Sequence, residues 1–178
     1  MLLFVILLTL TLQPALSKKG QTALSKKGQT ALSQQRCVND YLNPDQYEAF
    51  LKKHLNDKIP NGVEISDWQT FIDNKKTWNR KTQSFFPKSE YDKVLGVCST
   101  GGKIYPNTVK LNLCISNDPL EFITVHVDTA NKKVTEVKQM NQHVILACEK
   151  IENICRPVHF KANINNAKPD NNQPDCSG

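Results

Sequence analysis

Six cysteines, Cys37, Cys98, Cys114, Cys148, Cys155 and Cys176, all lie beyond an uncharged apolar N-terminus, and that combination limits what the chain can fold into. Met1 to Ser17 carries no charge, holds an apolar run from Leu2 to Leu12 and ends in Pro14-Ala15-Leu16-Ser17, a small-residue cleavage pattern. The run is shorter than the ~20 residues a membrane span needs, so residues 1–17 read as a secretory signal peptide. An even number of thiols would then reach an oxidising compartment, where three disulfides are the default. Cysteine arithmetic alone does not choose their pairing. There is no Cys-x-x-Cys and no pair of histidines at helical spacing, so the spacings offer no zinc site, and nothing implies a nucleotide cofactor.

With 178 residues the chain has room for one ordinary domain and dispensable ends. An eight-residue unit, Ala15 to Thr22, is repeated at Ala23 to Thr30. Two copies cannot stack into a repeat architecture, so residues 18–36 read as a flexible leader before a domain over 37–162 and a loop-like tail over 163–178, closed by Cys176. Lys18, Lys19, Lys26 and Lys27 supply four of the net +6 charges, leaving +2 for the rest. Net charge is therefore a weak pointer to a polyanion.

The first helix begins at Asn43-Pro44-Asp45-Gln46, with a cap, a proline at the first helical position and a capping-box glutamine. Tyr47, Phe50, Leu51, His54 and Leu55 then form one stripe at helical spacing. A second short helix starts at Ser66-Asp67-Trp68-Gln69, and a third spans Ser89 to Cys98. Beyond Gly101-Gly102 the pattern changes to strands: Thr108 to Ile115, Phe122 to Val127, Val134 to Lys138, His143 to Cys148 and Arg156 to Lys161. Helices first and antiparallel strands afterwards predict an α+β fold.

Four histidines are present, and a lone histidine is more often structural or solvated than catalytic; His126 and His143 are read that way. The segment His143-Val144-Ile145-Leu146-Ala147-Cys148-Glu149 followed by Pro157-Val158-His159-Phe160 resembles the C-terminal signature of the pancreatic-type ribonuclease (ribonuclease A) superfamily. Phe50-Leu51-Lys52-Lys53-His54 is similar to that family's N-terminal catalytic helix. The resemblance covers about residues 40 to 161. It implies three short helices with a curved antiparallel sheet, stabilised by disulfides, of which Cys98 to Cys148 matches a family pairing. The family's third motif, Cys-Lys-x-x-Asn-Thr-Phe, is placed on Arg80-Lys81-Thr82-Gln83-Ser84-Phe85-Phe86, where only Lys81 and Phe86 match. The family's cysteine is lost there, and with it the bridge that would hold Lys81.

RNA cleavage by its own 2′-hydroxyl needs a base, an acid and a cation beside the developing phosphorane charge. Two imidazoles titrating near ~6.5 can hold opposite protonation states at one pH without a metal. By resemblance His54 is the base, His159 the acid and Lys81 the charge stabiliser; Lys53 and Phe160 would bind substrate. Lys161 stands where many family members carry an aspartate that orients the acid. The implied activity is a secreted, metal-independent, monomeric endoribonuclease with RNA as partner, no cofactor and no stable membrane association. The alternative is a catalytically weak or inactive binding, signalling or host-defence protein on the same scaffold.

Overall fold

The structure, a computed structural model, describes Cys37, residues 44–106 and residues 112–177. The expected signal peptide, the leader, the Asn43 cap and the first half of the expected strand at Thr108 lie outside these residues. Within them the order is α1 (Pro44–His54), α2 (Ile65–Lys75), β1 (Thr82–Phe85), a 3₁₀ turn (Lys88–Glu90) running into α3 (Tyr91–Gly96), β2 (Gly102–Ile104), β3 (Leu113–Ser116), β4 (Leu120–Asp128), β5 (Lys133–Gln142), β6 (Ile145–Ile151) and β7 (Ile154–Lys161). The α+β class is as expected from the sequence, with strands paired only antiparallel, though β1 lies between the second and third helices.

The strands form two sheets, ordered β1-β4-β5 and β2-β3-β6-β7. Alternation along β4 explains how the first sheet is covered on both faces. Leu120 and Phe122 turn toward a core shared with Phe50 of α1, Phe86, Val94 and Leu146. Val125 and Val127 turn the other way and pack on Trp68, Phe71 and Ile72 of α2. The Trp68 indole donates to the carbonyl of Gly62 at 3.0 Å; Gly62 has φ +85°, a conformation that glycine adopts without steric cost. Gly102 is needed for a different reason, since a side chain there would run into the Val97 carbonyl.

Two short strands went unread in the sequence. In the sequence β1 shows only as a motif, and β2 falls at a glycine pair that reads as a boundary. Each is three or four residues long and depends on its partners, β4 and β3, more than on its own pattern.

Cys98–Cys148 joins the end of the third helical segment to β6, as the resemblance implied. Cys37–Cys155 fastens the segment before α1 to β7, and Cys114–Cys176 fastens the tail to β3. The tail is held by more than its cysteine. Ile104 N–H donates to the Pro174 carbonyl and Cys176 N–H to the Gly102 carbonyl, both at 3.0 Å, so the tail runs antiparallel along β2. Lys103 and Asp175 add an ion pair at 2.8 Å. The buried Asn163 amide donates to the carbonyls of His143 and Ala167 and accepts from the Ala167 N–H.

Candidate active site

His54 is the last residue of α1, on the same helical stripe as Phe50, and this stripe turns it inward. Its ring meets Phe50 at 4.9 Å and Phe160 at 5.5 Å between centroids. Phe160 in turn contacts Phe86 and Phe122 at 5.9 and 5.7 Å, so an aromatic floor from α1, β4, β7 and the residue after β1 fixes the imidazole's plane. Nδ1 lies 2.8 Å from the main-chain carbonyl of Ser84. A carbonyl only accepts, so Nδ1 carries the proton and Nε2 is left as the basic nitrogen.

Burial is the main force on this imidazole, and it pushes the pKa from the ordinary histidine range down to about 4. The Ser84 hydrogen bond opposes that shift, while the charges of Arg80, His159 and Lys53 reinforce it. His54 is thus a neutral base across the physiological range. His159 lies on β7 opposite Ala147 and is exposed, and it is close enough to His54 for its charge to count there. The structure therefore brings together His54, Phe160, His159 and Lys53 from the sequence reading.

Lys81 is placed differently. It is exposed and lines a separate cleft with His126, Asp128, Thr135 and Glu136, while its main-chain carbonyl accepts from Val127. The preceding residue, Arg80, is among the charges whose field reaches His54, and it is half-buried so that desolvation lowers its own pKa. Arg80, Thr82 and Ser84 alternate onto one face of β1 and its approach. Cross-strand contacts put that face beside Thr124 and His126: Ser84 Oγ lies 3.3 Å from Thr124 Oγ1, and Thr82 Oγ1 lies 3.3 Å from His126 Nδ1.

A signal for Arg80 was present in the sequence. Set one residue earlier, on Asn79-Arg80-Lys81-Thr82-Gln83-Ser84-Phe85, the motif Cys-Lys-x-x-Asn-Thr-Phe reads Arg for Lys, Gln for Asn, Ser for Thr and Phe for Phe. Every change after the lost cysteine is then conservative. Gln83 ties down the approach to β1. Its buried amide donates to the carbonyls of Thr77 at 3.0 Å and Arg80 at 3.3 Å, and Arg80 Nη1 lies 3.5 Å from its Oε1.

His143 Nδ1 donates to the Ser116 carbonyl at 2.9 Å. Lys161 extends its ammonium over the Tyr105 ring, 5.6 Å from the centroid. Among the described residues no helix is long and apolar enough to cross a membrane.

No protein-family model and no curated protein matches the chain. Solved structures do match. Green turtle egg white ribonuclease aligns with a TM-score of 0.51 at 18% identity, covering 67% of this chain and 98% of that one. The fold is ribonuclease A-like. Zebrafish RNase5 gives a TM-score of 0.50 at 19% identity over 71% of this chain and 99% of its own. SS-RNase-2 des116-120 gives 0.48 at 21% identity over 66% and 95%.

Proposed function

We propose that the chain is a divergent, secreted member of the ribonuclease A superfamily that cleaves RNA by transphosphorylation. The observation that carries this reading is His54: a buried, neutral imidazole whose Nδ1 proton is committed to Ser84, within electrostatic reach of a second imidazole on β7.

In this reading Nε2 of His54 takes the proton of a ribose 2′-hydroxyl as O2′ attacks the adjacent phosphorus. His159, protonated, gives its proton to the departing 5′-oxygen as the P–O5′ bond breaks, leaving a 2′,3′-cyclic phosphate. Arg80, rather than Lys81, meets the negative charge that develops on the phosphorane, and Lys53 adds to the phosphate's surroundings. Phe160 supports both imidazoles by packing. Ser84, at the motif's threonine position, offers its hydroxyl to the base, with Thr124 as its neighbour; Lys81 then lies along the strand from the reacting phosphate.

The test is cleavage of a fluorogenic RNA by the oxidised protein beside His159→Ala. A rate lost in the variant, whose exposed side chain contributes little to the core, is the expected result. Equal and negligible rates in both folded proteins would overturn the catalytic reading and leave a binding protein on this fold.

A further inference from the structure

The helix that carries His54 meets the strand that carries His159 at two separated points. At the helix end, His54 lies against Phe160. At the first turn, the Arg156 guanidinium sits over the Tyr47 ring, 4.6 Å from its centroid. Seven residues of helix rise about 10 Å, and four residues of strand about 13 Å. α1 therefore runs alongside β7 in the same direction, held near both ends, and Cys37–Cys155 closes next to Arg156 in the Tyr47 contact.

We propose that the stacking of Arg156 on Tyr47, backed by the Cys37–Cys155 bridge, is a positioning clasp that sets the register of α1 on β7 and so the separation of the two imidazoles. This rests on the catalytic reading above. A slip of one helical residue moves His54 by about 1.5 Å, enough to break its 2.8 Å bond to Ser84 and free Nδ1. Phe160, Ser84 and Phe86 hold the His54 end of the helix, and the Tyr47 contact holds the other end.

The surroundings of Arg156 fit a stacking role better than an ion-pairing one. Its Nε is buried without a hydrogen-bond partner, and its ion pair with the exposed Glu152 is long, at 4.0 Å. Glu149 stands opposite in register, with a carboxyl that burial pushes up toward the neutral form. A planar guanidinium can lie on a ring while its stem fills space, which an ammonium does less well. Lys53 of the same helix, Arg80 ahead of β1 and His159 of β7 are the charges acting on His54. None of them belongs to the clasp, so the clasp is separable from them by mutation.

The experiment follows the His54 imidazole by NMR through a pH titration, with RNA cleavage measured alongside, in the wild type, Tyr47→Phe, Tyr47→Leu and Arg156→Met. Tyr47→Leu and Arg156→Met are expected to raise the His54 pKa from about 4 toward the ordinary histidine range, and to lower kcat at least tenfold with KM little changed. Tyr47→Phe keeps the ring and is expected to match the wild type. Wild-type titration and kcat in both disruptive variants would overturn the proposal, as would Tyr47→Phe behaving like Tyr47→Leu. Arg156→Met decides the matter alone if Tyr47→Leu does not fold. Should the wild type cleave no RNA, the catalytic reading falls, while the titration still decides whether the clasp sets the position of His54.

Discussion

His54 donates its Nδ1 proton to the carbonyl of Ser84 across 2.8 Å, so the end of α1 and the middle of β1 share one hydrogen bond that decides the tautomer. Phe86 N–H returns the tie, donating to the His54 carbonyl at 2.9 Å. The two bonds make the base's orientation a property of main-chain geometry.

Burial of this imidazole sets the acid side of both rate and stability. The unfolded chain's His54 takes up a proton below about pH 6.5, whereas the folded one resists until about 4. The unfolded state binds more protons between these values, so stability is full above the upper one, falls as pH drops through the interval and levels off below it. The loss amounts to about 3 kcal/mol. Denaturant unfolding at pH 7 and pH 4 should show it in the wild type, and His54→Gln should lose less by about that amount.

In the proposed mechanism the neutral His54 imidazole places the acid limb of kcat/KM near pH 4, well below the range of an ordinary histidine. A pH–rate profile from pH 3 to 9 measures it. A limb near pH 6.5 would mean that His54 is solvated in the working enzyme.

Arg80 and Lys81 are adjacent and opposite in placement, which makes them separable. Arg80→Ala is expected to lower the cleavage rate roughly a hundredfold, and Lys81→Ala to leave the rate nearly unchanged. The reverse ranking would return the charge-stabilising role to Lys81.

Gln83→Leu removes the donor shared by Thr77 and Arg80 while keeping bulk in the core. Two carbonyls lose their partner, at a cost of ~1–3 kcal/mol. The loop carrying Arg80 loosens with them. Urea unfolding reads the first effect, and a fall in cleavage rate larger than that of Lys81→Ala reads the second.

Removing Cys114–Cys176 as a double alanine variant is expected to cost ~2–5 kcal/mol. It should also speed hydrogen exchange at the Ile104 amide, which donates to Pro174 in the tail. Unchanged exchange there would mean that the main-chain pairing holds the tail without the bridge.

The sequence revealed most where a residue's role is repeated by its neighbours. The stripe from Tyr47 to Leu55 specified α1 and the inward side of His54, and Ala147-Cys148-Glu149 with Pro157-Val158-His159-Phe160 specified the β6–β7 pair. The register of β1 was harder to read. A four-residue strand carries little periodicity, and with the motif's cysteine gone only the conservative match at Gln83, Ser84 and Phe85 favoured Arg80 over Lys81. The tail was opaque for a similar reason: Pro174 to Cys176 pairs with β2 as an isolated bridge, and no alternation of polar and apolar residues announces it.

The three disulfides join an early cysteine to a late one in every case: 37 to 155, 98 to 148 and 114 to 176. Any single cut between Ile115 and Ala147, including one in the surface turn after Asp128, is therefore spanned by all three. A protease that nicked the protein there would release no fragment until the bridges were reduced. The two halves would stay in register around the core, with His54 on one piece and His159 on the other.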